Sequence, residues 1–462
     1  MGKRFWISSW LLLLAMSMPF SIPAEGQTKK DLKKADQLKQ AGERAFQQKN
    51  FRNAIESYAQ AIVIVPKDPG AHFWKGVAHS YLKENEAALT ELDAALTLGL
   101  KPDLAFYQTR FGINYSLKKY DDALADAKAG LAIDPNDKYL LPGLGDISYA
   151  KADYQTALDS YQKALVQNPN NADYYYFIAA SQAQLGNVPG QAEAAQEAIK
   201  RGTRYLAESN YLLADSYYKQ KRYAEAESGY LATIAAKPDA RDAYENLADI
   251  YRNENRFNDA IDISKKALRV FGNDGNIYTN LAWYYSLADR NEEAIQAAQA
   301  GVTLLPGQSL AYTNLCRAYN DTKQYQLAIT ACNNALKISP KDGETLYYLG
   351  RAYDLLNKPN EATRYYDMAV AGLEDFVKGR PDYSDGFYLL GNAYYADNQR
   401  EKAIHAWKKC LAISPRFVKA RYNLGYTFTL KKDKASALEQ YNSLVTMDPA
   451  LAAKLKTEID KL

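Results

Sequence analysis

Apolar and small residues recur along this chain with a period of 34 residues, most cleanly over residues 242–340. Each period opens with the pattern aromatic-x-x-Leu-small-x-x-Tyr, continues with two spaced small residues, and usually closes near a Pro. The opening aromatic residue is Tyr244, Tyr278 and Tyr312 in three successive periods. Apolar spacings of three and four are those of one helix face, so each period predicts two antiparallel helices joined by a short turn.

The small residues of the pattern predict where paired helices come closest. In the fourth period these are Gly145, Ala157 and Ala164, while Leu144 and Tyr161 are large enough to fill the space around them. A Pro near the end of a period stops the second helix, because it has no backbone N–H to donate. One such helix pair cannot bury its apolar face alone, so successive pairs are expected to stack.

This period and its residues resemble the tetratricopeptide-repeat (TPR) family. The resemblance covers residues 35–449 in twelve successive units and implies an all-α, right-handed α-solenoid, closed by a C-terminal capping helix. The period breaks once, where 41 residues separate Ala362 from its equivalent Ala403. We therefore divide the chain into a signal peptide (1–26), a spacer (27–34), repeats 1–10 (35–373), an insertion (374–383), repeats 11–12 (384–449) and a capping helix (450–462).

The first 26 residues have the pattern of a secretory signal peptide. Lys3 and Arg4 precede an apolar run over residues 5–20, and small residues at Ala24 and Gly26 predict cleavage after Gly26. The run is shorter than the ~20 residues that a membrane-spanning helix needs. We expect an exported protein, periplasmic or secreted, with no transmembrane segment after cleavage; an uncleaved anchor is the alternative.

Charge and motif content point away from several classes of function. The chain has 57 Lys and Arg against 54 Asp and Glu, so no basic excess indicates a nucleic-acid partner. Neither a phosphate-binding Gly-Lys-Ser/Thr loop nor a Gly-x-Ser-x-Gly elbow occurs, and no Cys has a His next to it in sequence. We therefore expect no enzymatic activity, no metal site and no cofactor.

The three cysteines, Cys316, Cys332 and Cys410, occupy small-residue positions of the repeat. The odd number favours buried small apolar residues rather than a disulfide framework. Cys316 and Cys332 fall on the two helices of one predicted repeat, so a bridge between them is conceivable.

The TPR resemblance implies that the first helix of each repeat faces a concave groove. In three successive repeats the same position of that helix carries Asn246, Asn280 and Asn314, and Asn423 repeats it later. A side-chain amide both donates and accepts, which matches the backbone of an extended peptide. The sequence thus suggests a ladder that grips a peptide; the alternative is that Asn is simply common at this position in the family.

The same helix face carries Asp249, Trp283, Arg317 and Arg351 in four successive repeats. The Trp and the two Arg would form an aromatic and cationic patch beside the Asn residues, suited to a peptide with an acidic or aromatic side chain. The alternative is a solvated helix face with one exposed Trp.

From these features we expect a non-enzymatic scaffold that binds a protein or an extended peptide in the concave TPR groove. The alternative is a structural subunit of an envelope assembly or of a polysaccharide-export complex.

Overall fold

The computed structural model describes residues 28–462 and contains 25 α-helices and no strand within them. In chain order they are α1 (Lys29–Gln47), α2 (Phe51–Ile64), α3 (Pro69–Tyr81), α4 (Asn85–Thr97), α5 (Leu104–Ser116), α6 (Tyr120–Ile133), α7 (Leu140–Ala150), α8 (Tyr154–Gln167), α9 (Ala172–Gln184), α10 (Val188–Lys200), α11 (Leu206–Lys219), α12 (Tyr223–Ala236), α13 (Arg241–Asn253), α14 (Phe257–Phe271), α15 (Gly275–Leu287), α16 (Asn291–Leu304), α17 (Ser309–Asp321), α18 (Tyr325–Ile338), α19 (Gly343–Leu355), α20 (Pro359–Lys378), α21 (Ser384–Ala396), α22 (Arg400–Ile413), α23 (Val418–Leu430), α24 (Lys434–Met447) and α25 (Pro449–Ile459).

Each odd-numbered helix from α1 to α9 and from α13 to α23 packs on the even-numbered helix that follows it, and α25 packs on the last pair. The predicted all-α solenoid of about twelve helix pairs with a C-terminal capping helix is therefore confirmed. The predicted signal peptide lies outside the described residues. Helix α1 begins at Lys29, so most of the segment predicted as a spacer is helical.

The chain divides into two compact units, and the division falls inside α11. Unit 1 ends at Ser216 and unit 2 runs from Tyr217 to Leu462. Both are built from the same helix pairs.

The turn inside each helix pair has one residue in the left-handed region. Eleven of these residues are not glycine and have φ between 56° and 63°, and the fifth turn uses Gly186 at 73°. This conformation ends the first helix and reverses the direction of the chain, so the second helix runs antiparallel to the first. The non-glycine residues are Lys49, Lys83, Lys118, Ala152, Lys221, Asn255, Asp289, Lys323, Asn357, Asn398 and Lys432.

Small residues occupy the closest approaches between paired helices. A Cβ added at Gly145 would lie 2.8 Å from the ring of Tyr161, and one at Gly350 would lie 2.7 Å from Tyr366. Both distances are too short for carbon atoms, so the repeat needs Gly at these points. The large ring and the missing side chain together give the dense packing of a protein interior.

The break in the period is a longer helix. Helix α20 runs for 20 residues, whereas most second helices have 13 to 15. Leu373 and Val377 of the extra turns are buried in the core of the following repeats. The segment predicted as an insertion therefore continues the helix through Lys378 before it turns.

Two of the three cysteines form a disulfide. Cys316 on α17 and Cys332 on α18 are bridged, with their Cα atoms 5.3 Å apart, which settles the alternative that the sequence left open. Cys410 is free and buried.

Candidate binding groove

Unit 2 contains a cavity of about 540 Å³. Its walls come mainly from the first helices of successive repeats, α15, α17, α19, α21 and α23. Sites for compact ligands typically occupy about 300–1,000 Å³, so the cavity is large enough to hold a short segment of another molecule.

One position of the first helix recurs around this cavity. It is the residue directly after the small residue of each first helix, and we call it the groove slot. In α15, α17 and α19 it holds Trp283, Arg317 and Arg351, and all three line the cavity. The next two groove slots, Asn392 and Tyr426, line it as well.

The lining combines aromatic rings with charges of both signs. The largest group of lining residues is aromatic: Trp283, Tyr347, Tyr348, Tyr383, Tyr388, Tyr395, Trp407, Phe417 and Tyr426. The charged residues are Arg317, Arg351, Lys419, Asp289, Asp321, Glu344 and Asp385. Such walls offer flat apolar surface together with directional polar contacts, which is the usual composition of a recognition site.

Arg317 is the most enclosed cation of the cavity and is only 8% exposed. Its Nη2 donates to Asn314 Oδ1 and lies 3.5 Å from Glu344 Oε1. The guanidinium carbon lies 5.4 Å from the centre of the Tyr348 ring. Its Nε has no hydrogen-bond partner among the described residues. The side chain thus keeps one buried donor unused.

Glu344 and Lys419 have pKa values shifted toward their neutral forms. Burial raises the pKa of Glu344 to about 7, although its side chain is still 22% exposed. Burial lowers the pKa of Lys419, whose nearest carboxylate is Asp289 at 3.9 Å. Both charges are therefore only weakly compensated by the protein.

Arg351 is better compensated, because its Nη1 donates to Asp321 Oδ1 at 2.8 Å. Its side chain remains 35% exposed and lines the cavity. Of the four charged and aromatic residues that the sequence grouped, the structure brings Trp283, Arg317 and Arg351 together. Asp249 does not line the cavity; it accepts hydrogen bonds from Arg252, Asn253 and Tyr218.

The Asn residues of the predicted ladder lie beside the groove slot but are not part of the cavity wall. Asn314 is 2% exposed and donates to the backbone oxygen of Thr279 at 2.8 Å. Asn246 donates to the hydroxyl of Tyr230 at 3.1 Å. Asn280 is half-buried. Two of the three amides therefore bond within the protein, and peptide binding by the ladder stays a prediction.

The later Asn at this position, Asn423, does line the cavity. Its Nδ2 donates to Asn392 Oδ1 at 2.9 Å, and the same oxygen accepts from Trp407 Nε1 at 3.1 Å. This chain of bonds fixes the orientation of two amides and one indole at the cavity wall.

Sequence reasoning missed five charged residues of the cavity, among them Asp289 and Asp321. The other three, Glu344, Asp385 and Lys419, share one helix position. Each is the second residue of its helix, in α19, α21 and α23. The second and ninth residues of a helix are seven apart and lie on the same face after two turns. Since the groove slot is the ninth residue of these helices, the same spacing could have identified all three.

No helix between residues 28 and 462 is long and apolar enough to cross a membrane. Within the same residues no group of three or more His, Cys, Asp or Glu side chains is arranged to hold a metal ion.

Models of the tetratricopeptide repeat match residues 39–105, 143–205 and 211–274, and again residues 310–342 and 418–451. A model described as TPR repeat matches residues 391–432. These matches fall in both units.

The chain is similar to parts of two curated relatives. The chain is 34% identical over 118 residues to Protein STIP1 homolog of Dictyostelium discoideum, covering 25% of this chain and 21% of the relative. It is 31% identical over 158 residues to Hsp70-Hsp90 organizing protein of Triticum aestivum, covering 31% of this chain and 26% of the relative. The chain thus spans about a fifth to a quarter of the length of these relatives.

Among solved structures, the structure of Naa15/Naa10 bound to HypK-THB is similar over 92% of this chain and 78% of that chain. The sequence identity is 14% and the TM-score is 0.32.

Proposed function

Because this chain belongs to the tetratricopeptide-repeat family, we propose that it is a protein-binding scaffold whose groove in unit 2 holds a segment of a partner protein. The relative from Triticum aestivum is named for organizing two other proteins, Hsp70 and Hsp90, which supports a protein partner here. The residues that line the cavity support this groove as the place where the partner binds.

One observation carries the proposal. The groove slot places Trp283, Arg317 and Arg351 from three successive repeats on one cavity. A flat indole beside two guanidinium groups suits a peptide segment with an acidic and an aromatic side chain. Such anchors dominate the affinity of most protein interfaces, while the surrounding contacts exclude water.

The test is to select binders from a displayed library of random short peptides on the full-length protein and to titrate the best ones. We expect Trp283→Ala and Arg351→Ala each to weaken binding about tenfold or more, because anchor residues contribute at least ~1.4 kcal/mol. The matched control is Arg269→Ala on α14, an exposed Arg that does not line the cavity. Equal effects of Arg351→Ala and Arg269→Ala would contradict a groove site.

The Asn ladder needs a separate test. Asn280→Ala is the clearest variant, since Asn314 is bonded inside the protein and its loss would disturb Arg317. If the ladder grips a peptide backbone, Asn280→Ala should weaken binding by about 1 kcal/mol, the net value of one hydrogen bond. Unchanged affinity with an unchanged melting temperature would leave the Asn positions as family consensus.

We also propose that the protein is exported. The signal-peptide pattern of residues 1–26 supports this, and so does the Cys316–Cys332 disulfide, because such bridges persist mainly in oxidising compartments. Amino-terminal sequencing of the mature protein should begin at Gln27. Thiol labelling after rapid quenching should modify neither Cys316 nor Cys332, and labelling of both would count against export.

The alternative role, as a subunit of an envelope assembly, is separated from this proposal by affinity purification. A partner that selected peptides displace supports the scaffold. A stable assembly that resists those peptides and both groove variants would favour the structural role.

A further inference from the structure

Three successive turns of unit 2 meet a single later segment of the chain. Lys221 Nζ lies 3.3 Å from the backbone oxygen of Ile413, and Asn255 Nδ2 lies 2.7 Å from that of Arg416. Asp289 Oδ1 lies 3.9 Å from Lys419 Nζ. The turn residues are spaced by 34, one repeat, whereas their partners are spaced by three. We call this row of contacts the seam.

The three turn residues of the seam share one backbone feature. Lys221, Asn255 and Asp289 are the left-handed residues of their turns, with φ of 58°, 59° and 56°. The left-handed conformation puts these residues at the tip of each helix pair. Successive repeats therefore present their tips in a line, and residues 413–419, from the end of α22 to the start of α23, lie along that line.

A buried ion pair lies inside the seam. Arg252 Nη1 donates to Asp385 Oδ2 at 2.7 Å, and the two side chains are 9% and 10% exposed. The guanidinium also bonds Asp249 and lies 4.9 Å from the centre of the Trp283 ring. Arg252 thus joins α13 and α15 to α21, 133 residues away along the chain. We call this pair the latch.

The seam borders the cavity, because Asp289 and Lys419 belong to both, and the latch residue Asp385 lines the cavity as well. Its contacts are polar, and those of Lys221, Asn255 and Asp289 are exposed to solvent. Exposed pairs of this kind stabilise a structure little, whereas the helix pairs are held by buried apolar side chains. Unit 2 can therefore separate along the seam more easily than between stacked helices.

We propose that the seam is the entrance to the cavity, and that a ligand enters when the latch between Arg252 and Asp385 opens. The proposal rests on the proposed function, because it describes how a partner segment reaches the same site. When the seam is closed, the cavity is enclosed. It then accommodates a short inserted segment, whereas a long peptide that follows the whole groove does not fit.

The first experiment measures a distance across the seam in the absence of any ligand. Spin labels are placed at the exposed positions Lys266 on α14 and Lys408 on α22 through Lys266→Cys and Lys408→Cys, in a full-length chain with Cys410→Ala. The bridged Cys316 and Cys332 do not react. We expect one narrow distance distribution in this protein.

Arg252→Ala should broaden that distribution and shift it to longer distances, because Asp385 and Asp249 then repel each other and gain water when the seam opens. Arg252→Met combined with Asp385→Leu removes both latch charges and should restore a narrow distribution. The matched control is Arg256→Ala, whose guanidinium pairs with Glu227 and Asp259 and with no residue of the later segment. Identical distributions for Arg252→Ala and Arg256→Ala would overturn the proposal.

The second experiment locks the seam. Asn255→Cys and Arg416→Cys, again with Cys410→Ala, are joined by a short bismaleimide, and association of a selected peptide is followed. The locked protein should bind at least about tenfold more slowly than either single variant, since binding that needs a conformational change has a lower association rate. Unchanged association would overturn the entrance. If no peptide binds the unmodified protein, the proposed function fails, while the distance measurement still decides whether the seam opens.

Discussion

The two units use one repeat in different ways, and the groove slot shows the difference most clearly. In unit 1 the slot holds acidic or apolar residues: Glu43, Val77, Ile113, Asp146, Ala180 and Asp215. In unit 2 it holds Asp249, Trp283, Arg317, Arg351, Asn392 and Tyr426. The small residue beside the slot is kept in both, because it is needed where helices touch. The slot itself varies in size, charge and role, since in unit 1 the buried Val77 and Ile113 pack in the hydrophobic core.

The polar contacts of the two units also differ in how far apart their residues lie along the sequence. In unit 1, Asp146 accepts from Tyr161 of its own repeat at 2.6 Å, and Gln108 donates to Asp137 of the next repeat at 2.6 Å. In unit 2, the seam and the latch join residues separated by 130 to 192 positions. In residues 28–216 of unit 1 these side-chain bonds therefore stay within a repeat or join neighbouring repeats, whereas unit 2 adds contacts between distant repeats.

The largest effect should come from a buried ion pair of unit 1. Arg110→Ala leaves the carboxylate of Asp126, which is fully buried, without the guanidinium that bonds its Oδ1 at 2.6 Å and 2.9 Å. We expect a loss of about 3–5 kcal/mol in the free energy of unfolding. Hydrogen exchange should become faster only in the repeats around α5 and α6. Equal acceleration in distant repeats of unit 1 would contradict purely local coupling.

Enlarging the small residue directly before the groove slot should destabilise both units. Gly391→Ala in unit 2 and Gly145→Ala in unit 1 place a methyl group against Trp407 and Tyr161, so each should cost about 1–3 kcal/mol of stability. Gly391→Ala should lower the stability more than Gly145→Ala, because Trp407 is also held by its hydrogen bond to Asn392. Thermal melting of the purified variants measures both.

The control for these variants is Gly307→Ala, where an added Cβ meets nothing within 4 Å. It should leave the melting temperature close to that of the wild type. A change as large as that of Gly145→Ala would mean that backbone freedom, and not crowding, sets the effect.

A smaller effect depends on pH and belongs to the cavity of unit 2. The pKa of Glu344 is about 7 in the folded protein against an ordinary value of 4.5. A carboxyl with a raised folded pKa contributes its full stability below about pH 4.5 and loses it as the pH rises through 7. Glu344→Gln should therefore be more stable than the wild type at pH 8 by about 1–2 kcal/mol, discounted for partial exposure, and not at pH 4. Denaturant unfolding at both pH values gives the comparison; a gain at pH 4 would contradict it.

The smallest effect is the corresponding titration in unit 1. His72 Nδ1 lies 2.6 Å from Glu91 Oε2, and this hydrogen bond raises the pKa of His72 above 6.5. The pair is fully stabilising below about pH 6.5 and weakens as the pH rises through the folded pKa. His72→Gln should remove about 1 kcal/mol or less at pH 6 and almost nothing at pH 9. Melting curves across this range test it, and a pH-independent loss would point to packing instead.

Much of the fold could be predicted because its signals are local. The positions of Gly145, Tyr161 and Pro169 within one repeat fix two helices, their closest approach and their end. The cavity was predictable in part: Trp283, Arg317 and Arg351 follow from the repeat spacing, and Glu344 would have followed from the same helix face. The burial of Asn314 was not predictable, since it depends on a bond to the backbone of the preceding repeat.

The sequence by itself determined the helix pairs, the small residues at their contacts and the place where the period breaks, because each of these depends on residues within one repeat. Only the tertiary structure decided that Cys316 is bridged to Cys332, that Arg252 meets Asp385, and that three turn tips line up against residues 413–419. The spacing of residues along the sequence determines which face of a helix a side chain occupies. It does not state how far successive repeats rotate, and that rotation alone brings distant residues of unit 2 together.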